Sequence, residues 1–183
     1  MRPLLCKLVS PYQSAFIPGR CINENQIILQ ELLHKFKRRK VKGGFVALKM
    51  DLQKAYYRVN WKFVGAVLKG FGFHDIFLNW ILECVSSFSF FILINKGKSK
   101  SFRPTRGLRQ GDPLSPYLFI LYQEILSWML EKELLEGRIC GVQMNQRGSS
   151  FTHLMYADDI VLFAKTNCRE VQILDECLAK YCL

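Results

Sequence analysis

The segment that most constrains how this chain folds is His153–Ala164, HLMYADDIVLFA. Two short apolar runs, Phe151–Tyr156 and Ile160–Ala164, flank Ala157, Asp158 and Asp159. Short apolar runs separated by a polar break read as paired strands, so the segment predicts a β-hairpin with an acidic tip. Adjacent carboxylates repel each other, and a cation at the tip relieves that repulsion. Hard oxygen donors at such a tip suit magnesium, which keeps part of its water and takes one or two carboxylates plus substrate phosphates. An Asp–Asp pair is also what an ordinary solvated turn contains. The pair therefore points to chemistry only in the company of other groups.

Asp51 supplies that company. Phe45–Leu52 (FVALKMDL) follows a glycine pair and reads as a buried strand that carries Asp51 at its C-terminal end. A strand end set beside the hairpin tip brings Asp51 to Asp158. Three carboxylates can then hold two divalent ions about 3.5–4 Å apart, the arrangement that activates a hydroxyl nucleophile and stabilises a leaving pyrophosphate. The competing reading of Asp51 is a helix cap. A third element is Arg106–Pro116 (RGLRQGDPLSP). Gly107 and Gly111 permit close backbone approach, and Pro113 opens a helix. Such a loop can lie against a sugar-phosphate or a base pair, with Arg106 and Arg109 adding charge. It can equally be a plain connection.

The chain has 183 residues, half of them apolar, which suits one domain or a large part of one. Its net charge of +11 is uneven. Residues 1–60 hold 12 basic and 3 acidic residues, against 14 and 12 in the remainder. A basic half implies a polyanionic partner, with nucleic acid the first choice. No apolar run reaches the roughly 18 residues that span a bilayer, and the N-terminal segment lacks a secretory pattern, so no membrane partner is expected. Seven cysteines, an odd number without a CxxC pair, argue against a disulfide framework and a zinc ribbon.

Apolar spacing predicts helices over Asn25–Phe36, Trp61–Gly70, Asp75–Ser86, Pro113–Glu136 and Arg169–Tyr181. Asp75 reads as an N-cap. Phe88–Asn95 reads as a strand, Lys96–Gly97 as its turn, and Ser101–Pro104 as the start of a return strand. The basic run Lys35–Gly44 reads as a frayed helix end and a turn. This order predicts an α+β fold with helices on one face of an antiparallel sheet. Leu154, Val161, Phe163 and the stripe Leu118–Leu121–Ile125–Met129 are the expected core.

Taken together, these segments resemble the reverse transcriptase domain of LINE-type non-LTR retrotransposons, of the sort abundant in plant genomes. The resemblance covers nearly the whole chain. Gln13–Arg20 (QSAFIPGR) with Ile22–Gln26 (INENQ) resembles a fingers motif, and Ala47–Trp61 (ALKMDLQKAYYRVNW) the motif with the first catalytic aspartate. Arg106–Pro116 resembles the Gln-Gly loop, and Tyr156–Asp159 (YADD) the YxDD signature. The resemblance implies a right-hand polymerase palm over residues 45–183, an antiparallel sheet backed by helices, with partial fingers over 1–44 and the thumb missing.

The implied activity is RNA-directed DNA polymerisation, nucleotidyl transfer from a dNTP to a primer 3′-OH with two Mg²⁺ (Mn²⁺ a possible substitute). Asp51 and Asp158 are the implied main metal ligands, with the Leu52 backbone beside them, and Asp159 is the third, weaker carboxylate. Leu52 and Gln53 would lie against the triphosphate, which Arg20 would also contact. Tyr56 would be the steric gate against a ribose 2′-OH, and Gln110 and Gly111 would lie near the incoming nucleotide. Arg106 and Arg109 would contact nucleic acid. The implied partners are an RNA template, a DNA primer, dNTPs and the rest of a retroelement polyprotein, in the nucleus or a cytoplasmic ribonucleoprotein.

Tyr57 stands where relatives commonly carry a second aspartate, and it cannot hold charge at neutral pH. A lysine-bearing segment, the primer grip and the thumb are not in the sequence, so the chain by itself is expected to bind nucleic acid weakly and to copy it poorly or not at all. A truncated, catalytically inactive remnant that keeps the fold and at most binds nucleic acid is the alternative. A nucleotide cyclase on a related sheet has no use for Gln13–Arg20 or the Arg106–Pro116 loop.

Overall fold

A computed structural model describes residues 1–38, 44–144 and 148–182. After a 3-10 turn at Arg2–Leu4 the elements run α1 (Leu5–Leu8), α2 (Ile22–Arg38), β1 (Phe45–Asp51), α3 (Ala55–Arg58), α4 (Trp61–Gly70), α5 (Asp75–Ser86), β2 (Leu93–Ile94) and β3 (Gly97–Lys98). Then come α6 (Ser115–Leu135), β4 (Val142–Gln143), β5 (Ser150–Phe151), β6 (His153–Tyr156), β7 (Asp159–Lys165) and α7 (Cys168–Cys182). The expected turn in the basic run falls largely on residues 39–43, outside the described residues. Among the described residues no helix is long and apolar enough to cross a membrane. All seven cysteines are unpaired.

Two compact units divide the chain, Met1–Gln53 with Gln123–Leu183, and Lys54–Tyr122. The expected boundary at 44/45 falls inside the first unit. The reason is packing: Ile28, Leu29, Leu32 and Phe36 of α2 share a core with Phe45 and Ala47 of β1 and Phe163 of β7. Phe36 stacks on Phe45 with ring centres 5.5 Å apart.

The sheet of the first unit is antiparallel, in the order β1-β7-β6. Its register runs from Phe45 opposite Lys165 to Asp51 opposite Asp159, and Tyr156 of β6 also faces Asp159. Side chains alternate between faces. One face carries Phe45, Ala47, Leu154, Val161 and Phe163 against α2. The other carries Val46, Met50, Met155, Ile160, Leu162 and Ala164 against Leu126 and Leu130 of α6 and Leu174 and Cys177 of α7. Helices therefore cover both faces, not one. The unbroken apolar run Ile160–Ala164 already carried this, because a central strand buried on both faces loses its alternation.

Leu154, Phe163, Leu118 and Leu121 are buried as expected, whereas Val161, Ile125 and Met129 are half-buried. Lower on α6 it is Leu126 and Leu130, both fully buried, that fill the core. The helix closes in a Schellman motif. Gly137 takes φ 68°, the Arg138 amide donates to the Glu133 carbonyl, and the Gly137 amide donates to that of Leu134.

In the second unit α4 and α5 match their expected bounds. Asn60 caps α4 by accepting from the Lys62 and Phe63 amides. The cap of α5 is His74, whose Nδ1 accepts from the Ile76 amide at 3.3 Å. Asp75 sits one residue inside and pairs with Lys69 instead.

The strand expected over Phe88–Asn95 is a two-residue strand with an isolated bridge between Phe90 and Phe102. Asn95 and Lys96 form the turn, both at positive φ. Pairing holds register from Ile94–Gly97 to the Ser99-to-Ile92 hydrogen bond, then slips by one residue before Phe90–Phe102. This one-residue bulge cuts the ladder short.

Candidate active site

Asp51 is the last residue of β1, Asp159 the first of β7, and the two are direct cross-strand partners. Pairing continues one residue further, where the Leu52 amide donates to the Asp158 carbonyl at 3.3 Å. The chain leaving β1 is thus pinned to the hairpin turn. Alternation puts Lys49 on the same face as Asp51 and Asp159, and its ammonium stands 3.1 Å from Asp159 Oδ1. This face is closed by α2 at the Phe45–Phe163 end and grades to exposed side chains at Lys49 and Asp51. Asp158 and Asp159 are half-buried. Among the described residues Asp51 and Asp158 have no side-chain hydrogen bond or ion pair.

The donor set fits a hard divalent ion. Two uncommitted carboxylates end one strand and sit in the turn beside it, while the third carboxylate is shared with Lys49. Among the described residues no three His, Cys, Asp or Glu side chains stand close enough to hold one ion by themselves. Magnesium does not require that, since it completes its shell with water and substrate phosphates around one or two carboxylates.

The turn rests on an N-terminal strap. Gln13 pairs in parallel with Met155, the Met155 amide donates to the Tyr12 carbonyl at 2.8 Å, and the Ser14 amide donates to the Met155 carbonyl. Asn25 Nδ2 donates to the carbonyls of Tyr12 and Met155 at 2.7 and 2.8 Å. The Arg20 guanidinium, expected to meet a triphosphate, donates to the main-chain carbonyls of Ser10, Gln13 at 2.6 Å and Val9 at 2.8 Å. It is a clamp on the strap.

Behind the strap lies a buried polar network. Glu124 accepts from the Ser10 amide at 2.9 Å and from its hydroxyl. Burial pushes the Glu124 carboxyl up to about 7, against the opposing pull of the two Ser10 hydrogen bonds. His153 is fully buried, with Nδ1 2.8 Å from Thr152 Oγ1 and Nε2 2.9 Å from Ser127 Oγ. Burial pushes its pKa down to about 3, so the ring is neutral.

The second unit holds the remaining expected site residues. The Arg106–Pro116 loop is tied to the segment after Lys54 by hydrogen bonds from the Gly107 amide to the Val59 carbonyl (2.8 Å) and from the Leu108 amide to that of Tyr56 (2.7 Å). Trp61 Nε1 adds a 2.6 Å bond to the Gly107 carbonyl. Gly107 has φ 96°, and a Cβ there would stand 2.9 Å from the Tyr57 carbonyl oxygen, so the approach requires glycine.

Tyr56 stacks on Phe119 with centres 4.5 Å apart. Tyr57 donates its phenol to Gln110 Oε1 at 3.1 Å, which gives this substituted position a local partner without charge. Tyr57, Phe88, Phe90, Arg106, Arg109 and Gln110 line an open cavity of about 230 Å³. Arg106, Arg109, Gln110 and Gly111 are exposed.

Sequence reasoning did not single out Gln13, Asn25, Glu124 or His153. Gln13 and Asn25 lie inside the segments QSAFIPGR and INENQ, but the partners that tie them to the hairpin, Ala157 and Met155, are over a hundred residues away and no local period marks them. His153 carried a signal: an ionisable ring inside an apolar strand must find partners.

The sequence model of the family described as "Reverse transcriptase (RNA-dependent DNA polymerase)" matches residues 1–181. The chain is 28% identical over 181 residues to the Xenopus laevis "Transposon TX1 uncharacterized 149 kDa protein", covering 99% of this chain and 13% of that protein. It is 30% identical over 159 residues to the "Retrovirus-related Pol polyprotein from type-1 retrotransposable element R2" of Nasonia vitripennis, 87% of this chain and 14% of the other. The fold is similar to a solved apo telomerase from Candida tropicalis, with TM-score 0.63 and 15% identity, over 93% of this chain and 34% of that one.

Proposed function

The chain belongs to the reverse transcriptase (RNA-dependent DNA polymerase) family, and we propose that it is a polymerase palm that transfers a nucleotide from a dNTP to a primer 3′-OH on an RNA template. The observation that carries this is the open end of the β1–β7 ladder, where Asp51 and Asp158 are uncommitted and the chain between them is fastened by the Leu52–Asp158 bond. Asp51 and Asp158 would hold two Mg²⁺, with Mn²⁺ as a substitute. Asp159 contributes less, because Lys49 shares its charge. Bound there, the ions lower the pKa of the primer hydroxyl and balance charge on the departing pyrophosphate.

The chain's own groups do the rest. The primer oxygen attacks the α-phosphorus in line as the bond to pyrophosphate breaks. The backbone of Leu52 and Gln53 faces the triphosphate. Tyr56, its ring set by Phe119, excludes a ribose 2′-OH. Gln110 and Gly111 lie against the nascent pair. Arg106 and Arg109 take the phosphate backbone beside an aromatic-lined cavity, a combination suited to a polyanion carrying flat bases. Sequence is read by the template, so the protein needs only shape and backbone contacts. The chain spans 13% and 14% of the two relatives named above, and the rest of a retroelement polyprotein is its proposed partner.

Calorimetric titration with Mg²⁺ in the presence of a dNTP tests the reading. Binding heat beyond that of Mg²⁺ with the dNTP alone is expected in the wild type and absent in Asp158→Ala. The same heat in both, or none in either, favours an inactive remnant.

A further inference from the structure

We propose that Gln13 is a positioning residue for the catalytic turn: its side-chain carbonyl holds Ala157 in the left-handed conformation that presents Asp158. This rests on the reading of Asp158 as a metal ligand. Ala157 has φ 49° and is buried. Residues with a Cβ visit that region sparsely and stay there only where the surroundings fix them. Gln13 Oε1 does the fixing, accepting from the Ala157 amide at 3.1 Å and from the Ala15 amide at 3.0 Å.

Gln13 is itself held from several sides. It is 1% exposed, and its backbone is bridged to Met155 two residues before Ala157. Asn25 ties the neighbouring Tyr12 carbonyl to that of Met155. Arg20 grips the Gln13 carbonyl together with those of Val9 and Ser10. The side-chain Nε2 of Gln13 is buried and finds no hydrogen-bond partner among the described residues. The oxygen is therefore the end the fold uses, and an apolar side chain would fill the space without serving the turn. The segment Gln13–Asn25 thus acts on the metal site from behind.

Mn²⁺ binding to the 183-residue chain, followed by electron paramagnetic resonance of the free ion, tests this. Gln13→Met keeps the volume and removes the acceptor. It should weaken Mn²⁺ binding by about tenfold or more, the usual cost of losing support behind a metal ligand. Gln13→Glu keeps an acceptor oxygen and should stay within about threefold of the wild type on the same scale. A merely structural role would lower the melting temperature of Gln13→Met and leave the affinity of the folded chain unchanged, which overturns the proposal.

Asp158→Ala separates the two readings. If it binds Mn²⁺ as the wild type does, the ligand assignment fails, whatever Gln13 does. Should Gln13→Met not fold, hydrogen exchange on the wild type decides. A protected Ala157 amide supports the bond, and exchange at the rate of an open amide overturns it.

Discussion

Asp51 and Asp159 face each other directly across β1 and β7, and Lys49, two residues before Asp51, reaches only Asp159. Like charges directly opposite in an antiparallel pair destabilise it by up to about 1 kcal/mol. The ladder thus carries a small standing cost at the end where the chemistry is proposed. Asp51→Asn should therefore hold the melting temperature or raise it by a few degrees while removing metal-dependent activity, and Asp158→Ala should behave likewise. A fall of many degrees in either variant would show that these carboxylates serve the fold.

In the Lys49–Asp159 pair the lysine is exposed and the carboxylate is half-exposed. Exposed pairs contribute about 0–1 kcal/mol and are screened by salt. Lys49→Ala should cost less than about 1 kcal/mol in urea unfolding, and the difference should shrink at high salt. A larger loss that persists in salt would contradict the pairing as described.

Gly107 combines φ 96° with backbone contact on Tyr57. Gly107→Ala should cost about 1–3 kcal/mol, because the strained φ and the clash add. An unchanged urea midpoint would mean that the loop does not lie along the Tyr56–Val59 segment.

Glu124 and His153 set opposing pH dependences. The carboxyl of Glu124 rises from its usual 4.5 to about 7, so the folded state holds its proton more tightly. The stability this gives is full below pH 4.5 and lost as pH rises through 7. His153 falls from 6.5 to about 3, so the unfolded state takes the proton first and stability is lost as pH drops below 6.5. Between pH 4.5 and 6.5 the two slopes oppose each other. Glu124→Gln keeps an acceptor for the Ser10 amide and removes one slope. Its stability should rise steadily with pH across that window, and its advantage over the wild type should grow up to about pH 7. A constant offset at every pH would contradict this.

Local signals carried most of the fold. The hairpin around Asp158, the strand ending in Asp51 and the bounds of α4 and α5 all follow from apolar period and Gly or Asp punctuation. The β2–β3 hairpin was misread because a bulge is a one-residue slip in register that composition does not show. The cap of α5 went to His74, because its imidazole Nδ1 accepts from the Ile76 amide, which puts Asp75 at the first helical position. The site was legible as a set of carboxylates but not as a supported one. Gln13 and Asn25 reach the Ala157 amide and the Met155 carbonyl, main-chain atoms far along the chain, and only folding brings these together.

Primer extension on an oligonucleotide-primed RNA template, with Mg²⁺ and dNTPs, tests the central claim most directly. The account predicts short, template-dependent, Mg²⁺-dependent extension by the wild type and none by Asp158→Ala. Extension by both chains alike, or none by a wild type shown by circular dichroism to be folded, would contradict it.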